Sequence, residues 1–406
     1  MEISSIHGFS IEQGVLTLEK VAQTRKSENQ LKIGIPKETT SEERRVAVTP
    51  EGVETLINAG HMVFVEKGAG EASRFGDDLY VLAGAHIAAS ASDLYAQAEL
   101  IAKMFPPTGA ELSLLQDRQI LISALHLGSA TAELIQKLMA LRITAIGFEF
   151  IRDTDGTFPI VRMMHEITGA LSIQLATRFL ESTSGGRGLI LGGISGIPPA
   201  TVVILGSGII GEWAARAALG YGANVMVLDT ELGPLRQIEH FLSRNVTTAM
   251  ANPQYLRRAI RSADVVIGAK MKHGQRSPVL ITEDMIAEMR PGSVVIDLMM
   301  DQGACIETSR PTTLSQPTFV QHGVIHCCIP NLPSAVSRTS SIALSNVLVP
   351  YLLEIGEQGS INNALWYNPS LRNGTYVYRS HLTKKSLAAM FNMPHRDIEL
   401  LIASGI

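Results

Sequence analysis

Four side chains interrupt apolar runs at points where a strand should end. His126 sits in "ILISALHL", Asp297 and Asp301 punctuate "VVIDLMMDQG", and Arg45 lies in "RRVAVTP" after "TSEE". An imidazole and a carboxylate facing each other across a cleft can pass a proton in both directions near neutral pH. A guanidinium can grip a carboxylate through two parallel hydrogen bonds. Ligands of open α/β sheets bind beyond the carboxyl ends of the strands, which makes these four residues candidates. Each also has an ordinary structural role. His126 suits a hydrogen-bonded rim position, Asp297 a strand-end structural carboxylate, and Arg44 with Arg45 a solvated charge cluster in which one of the two could clamp a carboxylate. Asp301 precedes "QGA", a turn that would present it to a cleft between domains.

A second constellation is glycine-rich. "VVILGSGIIG" sets Gly206, Gly208 and Gly211 between an apolar strand and a helix beginning "EWAARAALG", and the next strand, "ANVMVLD", ends in Asp229. Gly206 permits the tight turn, Gly208 lets peptide N–H groups approach a pyrophosphate, and Gly211 permits close helix packing. Asp229 is expected to accept bonds from ribose hydroxyls and to repel a 2′-phosphate, so NAD is favoured over NADP. The local alternative is a tight turn alone, with Asp229 capping a helix.

These residues need strand–helix units to hold them, and the chain supplies such units. From Leu31, "LKIGIP", "PEGVETLINAG" and "HMVFVEKGAG" alternate strand and helix patterns, and Pro50 and Gly60 punctuate the helix. The alternation continues through "ELIAKMF", "RQILISALHL" and "ITAIGFEFI". It resumes after a glycine-rich stretch with "ATVVILGSG", "ADVVIGAK" and "GSVVIDLMMDQG". Repeated βα units predict mostly parallel sheets. A domain boundary is expected near residue 160. Residues 1–30 read as a helical arm, and the helical stretch "SRTSSIALSNVLVPYLLEIGEQG" is expected to pack back on the first domain.

With 406 residues the chain exceeds what one core usually organises. A net charge of -4 provides no field for phosphate backbones or anionic lipid, so neither nucleic acid nor membrane is an expected partner. The cysteines number three, Cys305, Cys327 and Cys328, with no metal or disulfide spacing, which fits a reducing cytoplasm. No metal site is expected. Apolar runs are broken by Ser, Asn and Pro well before bilayer length, and the N-terminal segment lacks the pattern of a leader peptide.

Taken in order, "IGIPKETTSEERRVAVTPEGVETL", "GHMVFVEKGAGEASRFGDDLY", "LHL", "GGRGLILGGISG", "VVILGSGIIG", "VIDLMMDQGACIETSRPTT" and "NLPSAVSRTSSIALSN" resemble the alanine dehydrogenase and pyridine nucleotide transhydrogenase α-subunit family. The resemblance spans about residues 31 to 370 and implies an α/β protein of two doubly wound domains. A Rossmann NAD-binding domain (161–335) is inserted into a discontinuous substrate domain (31–160 and 336–406). It implies oxidative deamination of L-alanine to pyruvate and ammonia with NAD, in a cytosolic homohexamer. By the same resemblance His126 and Asp301 are catalytic. Arg45, Lys103, Met164 and Asn331 line the substrate site, while His165 and Ala269 join Gly206, Gly208, Gly211 and Asp229 at the cofactor.

The chain departs from the family's pattern in "LIAKMFPP". Alanine dehydrogenases carry K-V-K-E-P there, and Phe105 stands in place of the second lysine, which contacts substrate. Lys103 replaces it only if the strand slips or bulges. His165 stands where the alanine enzymes carry a small serine, and Pro330 where they have a small residue. Three expectations remain open at this point: an amino acid dehydrogenase, an NAD-binding member with altered substrate or no turnover, and a soluble transhydrogenase-like subunit.

Overall fold

The computed structural model describes residues 29–40, 42–126, 130–242, 245–271 and 276–404, with the backbone but not the side chain of Asp301. The arm expected over residues 1–30 lies almost wholly outside the described residues. The chain first lays down β1 (Lys32–Ile35), β2 (Met62–Glu66), β3 (His86–Ala88), β4 (Leu100–Ala102), β5 (Ile120–Ser123) and β6 (Thr144–Gly147). After a long helix, Pro159–Leu180, it forms β7 (Thr201–Leu205), β8 (Asn224–Asp229), β9 (Thr247–Met250), β10 (Val265–Gly268), β11 (Val294–Asp297), β12 (Phe319–Gln321) and β13 (Val324–Cys327). A second long helix, Ser337–Glu357, returns it to add β14 (Thr375–Tyr378) and β15 (His381–Leu382).

These strands make two sheets. The first runs β15-β14-β6-β5-β4-β1-β2-β3 and the second β12-β13-β11-β10-β7-β8-β9. All pairs are parallel except those made by β14, β15 and β12. The central strands, such as "VVIG" and "VVID", are buried at every position. A strand covered by helices on both faces demands this, and it explains the continuous apolar runs in the sequence. The two faces still alternate: Leu100, Ala102, Ile120 and Ile122 enter one core, Ile101 and Leu121 another. A third core surrounds the second sheet.

Each sheet winds outward in both directions from a central pair, β1/β4 in the first and β7/β10 in the second. Strand order reverses there, and the connections leave a crevice at the carboxyl ends of the pair. The helix Pro159–Leu180 packs against the helix Ile209–Gly220 at Gly169, where an added Cβ would lie 2.4 Å from the Ile210 carbonyl oxygen. Gly169 thereby permits the contact that ties the connecting helix to the second sheet. Among the described residues, no helix is long and apolar enough to cross a membrane.

Candidate active site

The chain leaving β1 re-enters the interior at Val46 and Val48, and Arg45 goes in with them, 5% exposed. A buried guanidinium needs acceptors. Glu43 supplies a bidentate pair, accepting from Nε at 2.8 Å and NH2 at 2.6 Å, and Asn331 Oδ1 accepts from NH2 at 2.7 Å. The Asn331 amide closes the triangle by donating to Glu43 Oε2 at 2.9 Å. Among the described residues NH1 meets only the Met164 thioether, at 3.3 Å, a weak acceptor. Burial pushes Glu43 up, but the hydrogen bonds and charge of Arg45 outweigh it and hold the carboxyl below the usual range. The structure therefore brings Arg45, Met164 and Asn331 together, with one guanidinium edge open to exchange its partner. Arg44 is exposed and points elsewhere.

Lys103 requires a correction. Its ammonium is 1% exposed and donates to Glu111 Oε1 at 2.6 Å, with Glu38 Oε2 at 3.8 Å. Glu111 belongs to the short helix Gly109–Leu112, and the two buried carboxylates turn the cation away from the substrate role expected of it. Glu38 also accepts the N–H of Met104 at 2.6 Å and of Phe105 at 3.4 Å, fixing the segment after β4. Burial pushes Glu38 up to about 7 against the pull of Lys103 and these N–H donors.

His126, three residues beyond β5, takes the left-handed region, φ 55, which strains a residue with a Cβ and is concentrated at functional sites. Glu149 holds it there. Its carboxylate accepts the peptide N–H of Leu125 at 3.0 Å and of His126 at 2.8 Å. Burial raises Glu149 despite these bonds. The Phe105 ring lies 5.0 Å from the imidazole, tilted 45°. Phe105, beside His126, and Met164, beside Arg45, both pack against the core of the first sheet.

In the second crevice Gly206 takes φ +104, and a Cβ there would sit 2.6 Å from the Ala269 carbonyl oxygen. At Gly211 a Cβ would strike the Gly206 carbonyl oxygen at 1.9 Å, whereas at Gly208 nothing lies within 4 Å. The loop is thus packed tightly from below and open above Gly208, which is the N-cap of the helix Ile209–Gly220. That opening, with the N–H groups of the helix's first turn at its floor, fits a dinucleotide pyrophosphate. Asp229 is 1% exposed and held by Ser207, through N–H and hydroxyl both at 2.8 Å, and by Lys270 Nζ at 2.7 Å. Burial works against its ionisation, but these donors lower its pKa.

Ala269 is buried and donates its N–H to the Leu205 carbonyl at 2.8 Å, joining the end of β10 to the end of β7 just before the glycine loop. His165 follows Met164 on the connecting helix and is half-buried. Asp297 is a loop anchor, accepting from Met299 N, Cys305 N, Ile306 N and Ser309 Oγ at 2.8 to 3.1 Å. Asp301 lies in the turn Met300–Gln302 beyond β11, and its side chain is outside the described residues. Sequence reasoning missed Glu43, Glu38, Glu149, Ser207 and Lys270. Lys270 had a readable signal, a cation closing the apolar run "ADVVIGAK".

Comparison with known proteins matches this architecture to two family models. The alanine dehydrogenase/PNT N-terminal domain covers residues 34–168 and the C-terminal domain residues 172–385. Alanine dehydrogenases of Methanococcus maripaludis and Lysinibacillus sphaericus are each 40% identical, covering 90% and 92% of this chain and 98% and 100% of their own lengths. The alanine dehydrogenase of Mycobacterium tuberculosis is 37% identical over 92% of this chain and all of its own length. A solved L-alanine dehydrogenase superimposes with a TM-score of 0.85 at 39% identity, over 89% of this chain and 99% of its own. A transhydrogenase from Sinorhizobium meliloti shares the fold, with a TM-score of 0.76 at 23% identity over 87% of this chain and 99% of its own. Two sheets that share a 3-2-1-4-5 strand order, a buried arginine in the first crevice and a glycine loop in the second are thus found in a chain that belongs to the alanine dehydrogenase/PNT family.

Proposed function

We propose that the chain is an NAD-dependent amino acid dehydrogenase that converts L-alanine, water and oxidised dinucleotide reversibly to pyruvate, ammonium, reduced dinucleotide and a proton. The observation that carries this reading is the Arg45 group. A buried guanidinium, oriented by Glu43 and by Asn331 from the loop after β13, keeps one edge against nothing stronger than a thioether among the described residues. A substrate carboxylate displaces that thioether and gains a charge-assisted bond. Residues 31–160 and 336–406 form the substrate domain in this reading, and 161–335 the nucleotide domain.

Bound NAD, held by Gly206, Gly208, Gly211, Ala269, His165 and Asp229, supplies the hydride acceptor for the substrate Cα. Arg45 fixes the carboxylate, so the Cα is presented in one orientation. His126, pinned by Glu149, exchanges a proton with the substrate or product oxygen, and Asp301 orients and deprotonates the attacking water or the amine. Closure of the two crevices on one another excludes bulk water during the exchange. The chain acts as a cytoplasmic homo-oligomer, a hexamer by resemblance, and light scattering reads its size directly.

The test is formation of NADH, read by absorbance, from alanine and NAD with the purified chain. Alanine-dependent reduction supports the reading; NAD binding with no turnover on any amino acid contradicts it. A second reading, a different small amino acid as substrate, is favoured by Phe105. Its ring against His126 offers neither charge nor donor where alanine dehydrogenases carry a lysine. A screen over amino acids, repeated with Phe105→Lys, separates the two: a gain on alanine in the variant locates a substrate change at this position.

A further inference from the structure

Lys270 lies two residues beyond β10, with its Cα against Gly206, where an added Cβ would approach to 2.7 Å. Its side chain crosses the glycine loop to the end of β8. Nζ donates to Asp229 Oδ1 at 2.7 Å and to Glu231 Oε1 at 3.0 Å. Asp229 Oδ1 also accepts the Glu231 N–H at 2.9 Å, and Oδ2 accepts both Ser207 donors at 2.8 Å. A carboxylate has about four lone-pair sites, and these donors fill all of them.

An acid at the end of the second strand ordinarily favours NAD in two ways: it accepts the adenosine ribose hydroxyls, and its charge repels a 2′-phosphate. Neither works here as usual. Asp229 has no unused acceptor, and the ammonium in contact with it offsets its charge at short range, which leaves the remaining negative charge of the cluster on Glu231, a carboxylate 67% exposed and screened by solvent. The ammonium itself has three donors, of which Asp229 and Glu231 take two. Its bond to Glu231 is the easily exchanged one, because that carboxylate is 67% exposed.

We propose that Lys270 sets the dinucleotide preference of this chain: its ammonium neutralises Asp229 and receives a 2′-phosphate, so that NADP(H) binds alongside NAD(H). A ligand phosphate takes the place of Glu231 on the ammonium, and Asp229 stays fixed by Ser207. With NADH, the ribose hydroxyls instead compete with Lys270 for Asp229 Oδ1. The lysine thus assists one dinucleotide and obstructs the other. This rests on the reading of the second crevice as a nucleotide site.

The experiment is a fluorescence titration of the whole chain with NADH and with NADPH, at fixed low salt, in the natural protein and in Lys270→Met, Lys270→Arg and Glu231→Gln. The natural chain is expected to bind both, with dissociation constants within roughly tenfold of each other. Lys270→Met should weaken NADPH and strengthen NADH, moving their ratio by about tenfold or more, the scale of one charge-assisted bond. Lys270→Arg should keep NADPH binding, and Glu231→Gln should tighten it by about threefold. A ratio unchanged in Lys270→Met overturns the inference while leaving the nucleotide site standing. Should the natural chain bind neither dinucleotide, the nucleotide site falls and the inference with it.

Discussion

Lys103 follows β4 and Lys270 follows β10, so the two lysines occupy nearly the same place in two sheets that share a 3-2-1-4-5 strand order. Lys103 is one residue beyond its strand and turns inward to Glu111, in the helix Gly109–Leu112, and to Glu38. Lys270 is two residues beyond its strand and crosses the glycine loop, its side chain 9% exposed, to the buried Asp229 and the exposed Glu231. In extended chain a shift of one residue exchanges the two faces. That single step separates a cation that holds a core from a cation at the mouth of a ligand crevice.

The contrast predicts which substitution damages the fold. Lys103→Met leaves two buried carboxylates without their cation and should cost about 3–5 kcal/mol of stability, read by urea denaturation. Lys270→Met leaves Asp229 its Ser207 and Glu231 donors and should cost only about 1–2 kcal/mol. Equal losses for the two variants would erase the distinction drawn between the crevices.

The next effect isolates Glu38, whose folded pKa is raised by burial from 4.5 to about 7. The folded chain holds that proton more tightly than the unfolded chain does. Its stabilising contribution is complete below pH 4.5 and disappears as pH rises through 7. The loss is on the order of 3 kcal/mol. Glu38→Gln keeps a neutral group in place and should flatten the fall in melting temperature across this range. A variant with the same pH profile as the natural chain would show that Glu38 is ionised throughout.

A smaller change tests the aromatic wall. Phe105→Leu removes the ring contact with His126 and should cost about 1 kcal/mol of stability. It should leave NADH binding in the second crevice unchanged. An effect on NADH binding as large as that on amino acid turnover would mean that the first crevice is not independent of the second.

The glycine loop and Asp229 were legible because their signal is local, with strand, turn, helix and acid following one another within about thirty residues. Mostly parallel sheets were legible in the repeated βα units, whereas the antiparallel edge strands β12, β14 and β15 were not. The partners of the site residues were not legible. Asn331 reaches Arg45 across 286 positions and Lys270 reaches Asp229 across 41, and no periodicity encodes such pairings. Glu43 and Glu149 read as ordinary surface acids until the fold turns them onto Arg45 and the His126 backbone. Lys103 misled for the complementary reason. A lone cation at a strand end looks free until its buried counter-charges, one of them eight residues away, come into view.

Arg45 gives the most direct test of the division between an amino acid crevice and a dinucleotide crevice. Arg45→Met should lower kcat/KM for the amino acid by about a hundredfold or more, while NADH binding, measured by calorimetry on the same preparation, keeps its affinity. Loss of NADH binding, or amino acid turnover that survives the substitution, would contradict the account.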